Sequence, residues 1–188
     1  MTSEAEMIKI PILEEVRAIT ESFPSVRPRE RTKLTGALTV EILRERLREG
    51  RIPISVRDVF VRGNPTEFDL LIVRPSASPL YSIVYDPVDV AAVLEIKFSG
   101  VYSPNAVVDL KRCFQRIKKT HPHIECIYLT VCEAPNFKNR ITADRLGFPV
   151  FTLYWWKDYK RMEVKQGDSL QSIIDFLRNA LRQLPNHI

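Results

Sequence analysis

A carboxylate and an ammonium interrupt one strongly apolar segment of this sequence. Residues 91–100 read AAVLEIKFSG, with Glu95 and Lys97 set two positions apart among aliphatic side chains. Because side chains alternate between the two faces of a strand, Glu95 and Lys97 leave it on the same face. Burying two ions is costly unless they are paired or bind a metal, so we expect this face to open onto a cleft.

The spacing of an acid two positions before a lysine is a weak signal by itself. Charged residues make up about a quarter of an average protein, so such a triplet arises by chance roughly once in a chain of this length. Two further examples lie at residues 109–111 (DLK) and 163–165 (EVK). The first has a helical pattern, where residues two apart lie on different faces, and the second is a polar, hairpin-like segment. We expect both to be surface groups.

A second apolar run supplies a matching acid upstream. Residues 67–73 read EFDLLIV, in which Asp69 shares one strand face with Glu67. The segment between Asp69 and Glu95 contains turn-forming residues and is long enough for a loop or hairpin between antiparallel neighbours. On neighbouring strands, the carboxylates of Asp69 and Glu95 would converge on one metal ion.

The segments EFDLLI at residues 67–72 and VDVAAVLEIK at residues 88–97 resemble the motif of the PD-(D/E)xK nuclease superfamily, which has the restriction-endonuclease-like fold. They are also similar to uncharacterised microbial members of that superfamily. The resemblance extends over roughly residues 30–155. Phe68 stands where the proline of the motif's name is expected, at a position that the superfamily keeps loosely.

The resemblance implies a metal-dependent endonuclease. Asp69 and Glu95 would hold Mg²⁺ or Mn²⁺ together with a backbone carbonyl such as that of Ile96. Lys97 would orient the attacking water or stabilise developing charge, because an ammonium is a poor base unless its pKa falls. The implied reaction is in-line hydrolysis of a phosphodiester, with DNA as the favoured nucleic acid.

Two helical residues are further candidates for catalytic roles. Glu41 lies on the apolar stripe of its helix, and members of the superfamily often place a helix glutamate beside the metal. An ion pair with Arg44 or Arg48 explains Glu41 equally well. Gln115 lies on the helix after Lys97 and is included as an additional candidate.

The order of predicted elements agrees with the resemblance. The patterns predict a helix at 30–49 ended by Gly50, strands at 56–61 and 67–73, the Glu95 strand, a helix at 104–119, and strands at 124–131 and 150–156. The strand at 124–131 is too apolar to be half exposed, so we expect it to be central. The predicted fold class is therefore α/β with a mixed sheet, in the αβββαβ order of the restriction-endonuclease-like core.

Length and composition favour one domain. The chain has 188 residues, of which 45% are hydrophobic, and this is enough for one substantial core. We expect a nuclease-like core at about 30–156, with appended helices at about 4–22 and 168–184. No run is long and apolar enough to span a membrane, and the first residues lack a basic signal-peptide start, so the expected location is the cytoplasm.

The positive charge favours a polyanionic partner. The net charge is +5, and basic residues form two helical clusters. One comprises Arg44, Arg46, Arg48 and Arg51; the other comprises Lys111, Arg112, Arg116, Lys118 and Lys119. A solvated helix face explains each cluster equally well, because glutamates interleave with the first.

Several other residues that could do chemistry have simpler explanations. The three cysteines, Cys113, Cys126 and Cys132, have no metal-ligand spacing and are odd in number, which argues against a disulfide framework. Cys126 and Cys132 fall in an apolar strand and are expected in the core. The histidines of residues 121–123 are expected in a solvated turn. The aromatic residues at 154–156 and 159 could stack on bases, but core packing is favoured.

A catalytically inactive protein is the alternative function. It would keep the fold and bind nucleic acid or an assembly partner without turnover, since a fold does not fix a function. A coincidental triad in an unrelated α/β protein is a third possibility. The sequence leaves the oligomeric state open, and a homodimer is one possibility because many members of the superfamily are dimers.

Overall fold

A computed structural model describes residues 12–23, 27–100, 103–136, 140–158 and 163–185. It contains helices α1 (Ile12–Glu21), α2 (Pro28–Glu49), α3 (Pro104–Thr120), α4 (Ala143–Leu146) and α5 (Leu170–Arg182). The strands are β1 (Val59–Val61), β2 (Glu67–Phe68), β3 (Leu70–Val73), β4 (Val84–Tyr85), β5 (Val90–Ser99), β6 (Glu125–Glu133), β7 (Val150–Asp158) and β8 (Glu163–Gln166). A 3₁₀ turn at Pro87–Asp89 precedes β5.

The strands form two mixed sheets. The larger sheet has the order β3-β5-β6-β7-β8, in which β5, β6 and β7 are parallel while β3 and β8 are antiparallel edges. The smaller sheet has the order β2-β1-β4. The prediction of a central strand at 124–131 is confirmed, because β6 lies in the middle of the larger sheet and is buried at all but its first residue.

Alternation along the strands divides the core into two layers. Leu94 and Ile96 pack with α1, α2 and α5 on one face of the larger sheet. Leu71 and Val93 point to the other face and pack with α3 and the smaller sheet. Phe114, at the centre of α3, is fully buried in this second layer, where burial of such a side chain contributes about 1.5–3 kcal/mol.

The predicted strand at 67–73 is two strands. β2 belongs to the smaller sheet and β3 to the larger one, with Asp69 at the bend between them. The strand predicted at 56–61 begins only at Val59, because the preceding residues run irregularly beside β3. Apolar alternation continues through both segments, so it gave no sign of either interruption.

The helices follow the sequence pattern more closely. α2 ends where Gly50 was expected to stop it, and α3 and α5 lie within two residues of their predicted bounds. The first appended helix begins at Ile12, and the earlier part of the predicted range 4–22 lies outside the described residues. Over the described ranges, no helix has the length and apolar character that crossing a bilayer requires.

Candidate active site

The pairing of β3 with β5 brings the two predicted acids together. Leu70 is paired with Leu94 in this antiparallel ladder, so the next residues outward, Asp69 and Glu95, face each other across the strands. Side chains that are directly opposite on two strands point to the same face. The bend at Asp69 therefore places its carboxylate beside the charged end of β5.

Lys97 lies between the two carboxylates. Its Nζ is 2.5 Å from Oε1 of Glu95 and 3.6 Å from Oδ2 of Asp69. The backbone N–H of Ile96 donates a 2.6 Å hydrogen bond to Oδ2 of Asp69, which fixes the orientation of that carboxylate. The structure thus brings the three predicted residues Asp69, Glu95 and Lys97 into one cluster.

Burial and mutual repulsion change the acid–base properties of this cluster. Burial raises the pKa of Glu95, and the nearby charge of Asp69 raises it further, while Lys97 opposes both effects. Burial lowers the pKa of Lys97, but Glu95 and Asp69 outweigh it, so the pKa is above its ordinary value. Lys97 is therefore a permanent cation at neutral pH, which suits an electrostatic role.

A cleft of about 230 Å³ opens at this cluster. Asp69, Ile96 and Lys97 form part of its wall. The opposite wall comes from α2, where the small side chains of Gly36 and Ala37 leave the space open. Of the two charged side chains of this part of β5, Lys97 lines the cleft and Glu95 does not, so the expectation of a cleft at the charged face is met by Lys97 alone.

Two charged residues of the cleft were not predicted. Arg57 and Asp58 line it with Asp69, and the Arg57 guanidinium is 3.2 Å from the Asp58 carboxylate. Both precede β1 in an irregular segment. Strand periodicity carries no information about where such a segment directs its side chains, so the sequence offered no signal for them.

Further polar residues lie close to Glu95. Burial raises the pKa of Cys113, on α3, and a hydrogen bond with Thr66 opposes this effect, while the charge of Glu95 adds to it. Glu67, predicted as a spare acid on the face of Asp69, is exposed and also raises the pKa of Glu95 through its charge. Glu95 therefore faces α3 and the smaller sheet.

The two additional helical candidates do not join the cluster. Glu41 pairs with Arg44 at 3.0 Å, which is the ion-pair alternative, and it is not among the residues that line the cleft. Its helix packs on the sheet face opposite to Glu95. Gln115 is exposed on α3, beside the basic residues of that helix. A catalytic role for Glu41 or Gln115 stays a prediction.

The two chance triplets lie at the surface, as predicted. Asp109 is 73% exposed and pairs with Arg112 at 3.7 Å rather than with Lys111. Glu163 and Lys165 are exposed on the edge strand β8. Among the three triplets, the apolar strand context therefore distinguished the one at residues 95–97.

The two basic clusters differ in their ion pairs. Three arginines of α2 have glutamate partners, namely Arg44 with Glu41, Arg46 with Glu15, and Arg48 with Glu45, at 3.0, 2.6 and 3.0 Å. On α3, Arg116 and Lys119 are exposed and form no ion pair with a described acid. The positive charge of α3 is therefore less neutralised than that of α2.

The remaining candidates are structural. The cysteines are free, and burial raises the pKa of Cys126 and of Cys132 to about 12. His123 contacts the Pro87 carbonyl oxygen at 3.0 Å through Nε2 in the turn after α3. Trp156 is buried in the core as expected, whereas residue 159 lies outside the described residues.

The donor set of the cluster fits a small, hard cation. Within the described part of the chain, no group of three or more His, Cys, Asp and Glu side chains is placed to hold a metal. Mg²⁺, however, is usually held by one or two carboxylates, with water and substrate phosphates completing its shell. Asp69 and Glu95 are two such carboxylates, and the charge of Asp69 adds to burial in raising the pKa of Glu95.

Comparison with known proteins gives structural neighbours only. No family model and no curated protein matches the chain. The structure of NucC from P. aeruginosa ATCC27853 in its cAAA-bound form is similar, with a TM-score of 0.57 and 12% identity, covering 98% of this chain and 91% of that chain. NucC from E. coli MS115-1, also cAAA-bound, has a TM-score of 0.57 and 14% identity, covering 98% and 90%. These matches confirm the predicted α/β, restriction-endonuclease-like fold class.

Proposed function

We propose that this protein is a metal-dependent nuclease of the PD-(D/E)xK type that hydrolyses phosphodiester bonds, with DNA as its substrate. The observation that carries the proposal is the convergence of Asp69, Glu95 and Lys97, of which Asp69 and Lys97 line an open cleft. The restriction-endonuclease-like fold supports it, because in that fold the same strand order carries this motif.

We propose a role for each residue of the cluster. Asp69, Glu95 and the Ile96 carbonyl would hold Mg²⁺ or Mn²⁺, which neutralises phosphate charge and lowers the pKa of a bound water. The hydrogen bond from Ile96 N–H keeps the Asp69 carboxylate oriented before substrate arrives. Lys97 retains its proton, orients the attacking water and stabilises the negative charge that develops on the phosphate.

The charge of α3 supports a polyanionic substrate. Phe114 and Ile117 bury one side of this helix in the layer beneath Leu71 and Val93, which neighbour the acids along their strands. The helix is therefore on the sheet face to which Glu95 and Lys97 point, and Arg116 and Lys119 lie on its exposed side. We propose that these two residues contact the phosphate backbone. The homodimer stays a prediction.

Cleavage assays test the proposed function. With Mg²⁺ or Mn²⁺, the wild-type protein is expected to nick or cleave DNA, and a chelator is expected to abolish the activity because both acids then lack a cation. Supercoiled plasmid, linear duplex, junction and single-stranded substrates should be incubated with each metal and resolved on gels.

An acid variant separates binding from chemistry. Asp69→Asn should retain DNA binding, because the amide oxygen can still accept the Ile96 hydrogen bond, and it should lose cleavage. If the wild-type protein binds DNA tightly but cuts none of these substrates with either metal, the nuclease proposal is wrong. The alternative of a catalytically inactive, nucleic-acid-binding protein would then hold.

The salt dependence of DNA binding tests the role of α3. The plot of log affinity against log salt has a negative slope, and each lost phosphate contact reduces the magnitude of that slope by about 0.9. An Arg116→Gln/Lys119→Gln double variant should therefore reduce the magnitude by about 2. The matched control is Arg17→Gln/Arg48→Gln, which removes two exposed, glutamate-paired arginines from α1 and α2. Equal slopes for the two double variants in fluorescence anisotropy would refute the α3 contact.

A further inference from the structure

The segment before β1 contains an extra residue relative to β3. Ser55 N–H donates to the Leu71 carbonyl oxygen at 3.0 Å, and Asp58 N–H donates to that of Asp69 at 3.3 Å. Two residues, Val56 and Arg57, lie between Ser55 and Asp58, whereas only Leu70 lies between their partners Asp69 and Leu71. This arrangement is a β-bulge, a feature that redirects side chains and is common beside active sites.

Several contacts fix the bulge. The buried hydroxyl of Ser55 accepts a 2.9 Å hydrogen bond from Leu71 N–H and donates one of 2.6 Å to the Val56 carbonyl oxygen. The Tyr85 hydroxyl shares a hydrogen bond with the Val56 backbone. Asp58 has a left-handed φ of 57°, a conformation that is unfavourable for most residues and persists where the surroundings enforce it.

The bulge directs Arg57 into the cleft. Arg57 and Lys97 are the cationic side chains among the residues that line it, and Asp69 lines the same cleft. A nucleic acid that enters the cleft must bring phosphates past Asp58 and Asp69, whose charges repel them. The forked guanidinium of arginine matches two oxygens of a phosphate.

We propose that Arg57 binds a phosphate of the substrate next to the one that is cleaved. Before substrate arrives, Asp58 holds the guanidinium through Nε at 3.2 Å, and it is the only acidic partner of Arg57 among the described residues. Arg57 is thus a substrate-contacting residue that sets affinity, while Lys97 acts at the scissile phosphate. The inference rests on the proposed nuclease function for the identity of the ligand.

Binding of a fluorescein-labelled DNA duplex without metal tests the proposal. In the Asp69→Asn protein with a chelator present, Arg57→Gln is expected to weaken binding about tenfold, because a charge-assisted contact to phosphate is lost. It should also lower the salt slope by about 1. Arg57→Lys keeps the charge without the fork and should lose less affinity than Arg57→Gln.

The chain offers a matched control in Arg62. Arg62 is exposed and pairs with Asp86, as Arg57 pairs with Asp58, but it does not line the cleft. Arg62→Gln removes the same charge and should change affinity less than twofold. Equal losses for Arg57→Gln and Arg62→Gln, or no loss for either with the fold intact by circular dichroism, would overturn the proposal.

Steady-state cleavage gives an independent readout. Because Arg57 would contact a phosphate that does not react, Arg57→Gln should raise KM about tenfold and leave kcat within about twofold. If Arg57→Gln cleaves DNA and binds it with normal affinity, the Arg57 contact is refuted and the nuclease function is not. Binding that depends on Arg57 in a protein that never cleaves would refute the nuclease and leave the contact standing.

Discussion

Lys97→Ala is expected to lower the rate of DNA cleavage by about a thousandfold while the protein remains folded. Among the described residues, Lys97 is the single cation that contacts both carboxylates, at 2.5 Å from Glu95 and 3.6 Å from Asp69. Removing one preorganised group that stabilises a transition state commonly costs a factor of about 10²–10³ in rate, and groups that act as a unit cost more. Single-turnover cleavage with Mg²⁺, beside circular dichroism and thermal unfolding, measures both effects.

Lys165→Ala is the matched control for this prediction. It removes a lysine with the same spacing from an acid, but Lys165 is exposed on the edge strand β8. Its cleavage rate should stay within about twofold of wild type. If Lys97→Ala kept half of the wild-type rate, the cleavage would come from a contaminant or from another site, and the assignment of Lys97 would be wrong.

The sequence predicted the part of the site that regular strands position. Glu95 and Lys97 lie in a long strand with strict alternation, so their shared face followed from the pattern alone. The antiparallel neighbour of Glu95 was also predictable, because a turn-rich segment separates two apolar runs. Local periodicity was sufficient wherever one strand continued without interruption.

The sequence predicted Asp69 as a site residue, but it did not predict the change of sheet that positions Asp69 or the bulge that carries Arg57. Asp69 is at the bend between β2 and β3, and Arg57 is in the bulge that runs beside it. Predicting the bend and the bulge requires knowing which strands pair. The local alternation of apolar residues does not contain that information. The bend and the bulge are nevertheless what brings Asp69 and Arg57 to the cleft.

Glu41 illustrates a different limit. A glutamate on the apolar stripe of a helix is compatible with a metal site and with an ion pair, and the two alternatives cannot be separated without knowing which sheet face the helix covers. In the structure Glu41 pairs with Arg44, and α2 packs against Leu94 and Ile96, on the sheet face opposite to Glu95. A catalytic role for Glu41 stays a prediction.

Gly167→Ala is expected to destabilise the protein by about 3 kcal/mol, near the upper end of what overpacking costs. A Cβ atom at Gly167 would overlap the carbonyl oxygen of Thr152 and would lie 3.0 Å from Nε1 of Trp155. The Thr152 oxygen is backbone and cannot rotate away, because Thr152 and Asp168 are hydrogen bonded to each other at this turn. A shift of β8 against β7 is the remaining way to relieve the overlap.

Gly36→Ala is the control of opposite sign. Gly36 lies within α2 and a Cβ there would meet nothing within 4 Å, so alanine should stabilise the helix by about 0.5–1 kcal/mol. Urea unfolding of the two variants and the wild type measures both differences. Because β7 and β8 lie beyond β6 from the cluster, Gly167→Ala should keep the wild-type kcat per folded molecule. A Gly167→Ala protein as stable as wild type would show that β8 moves freely along β7, contrary to the close contact at Thr152.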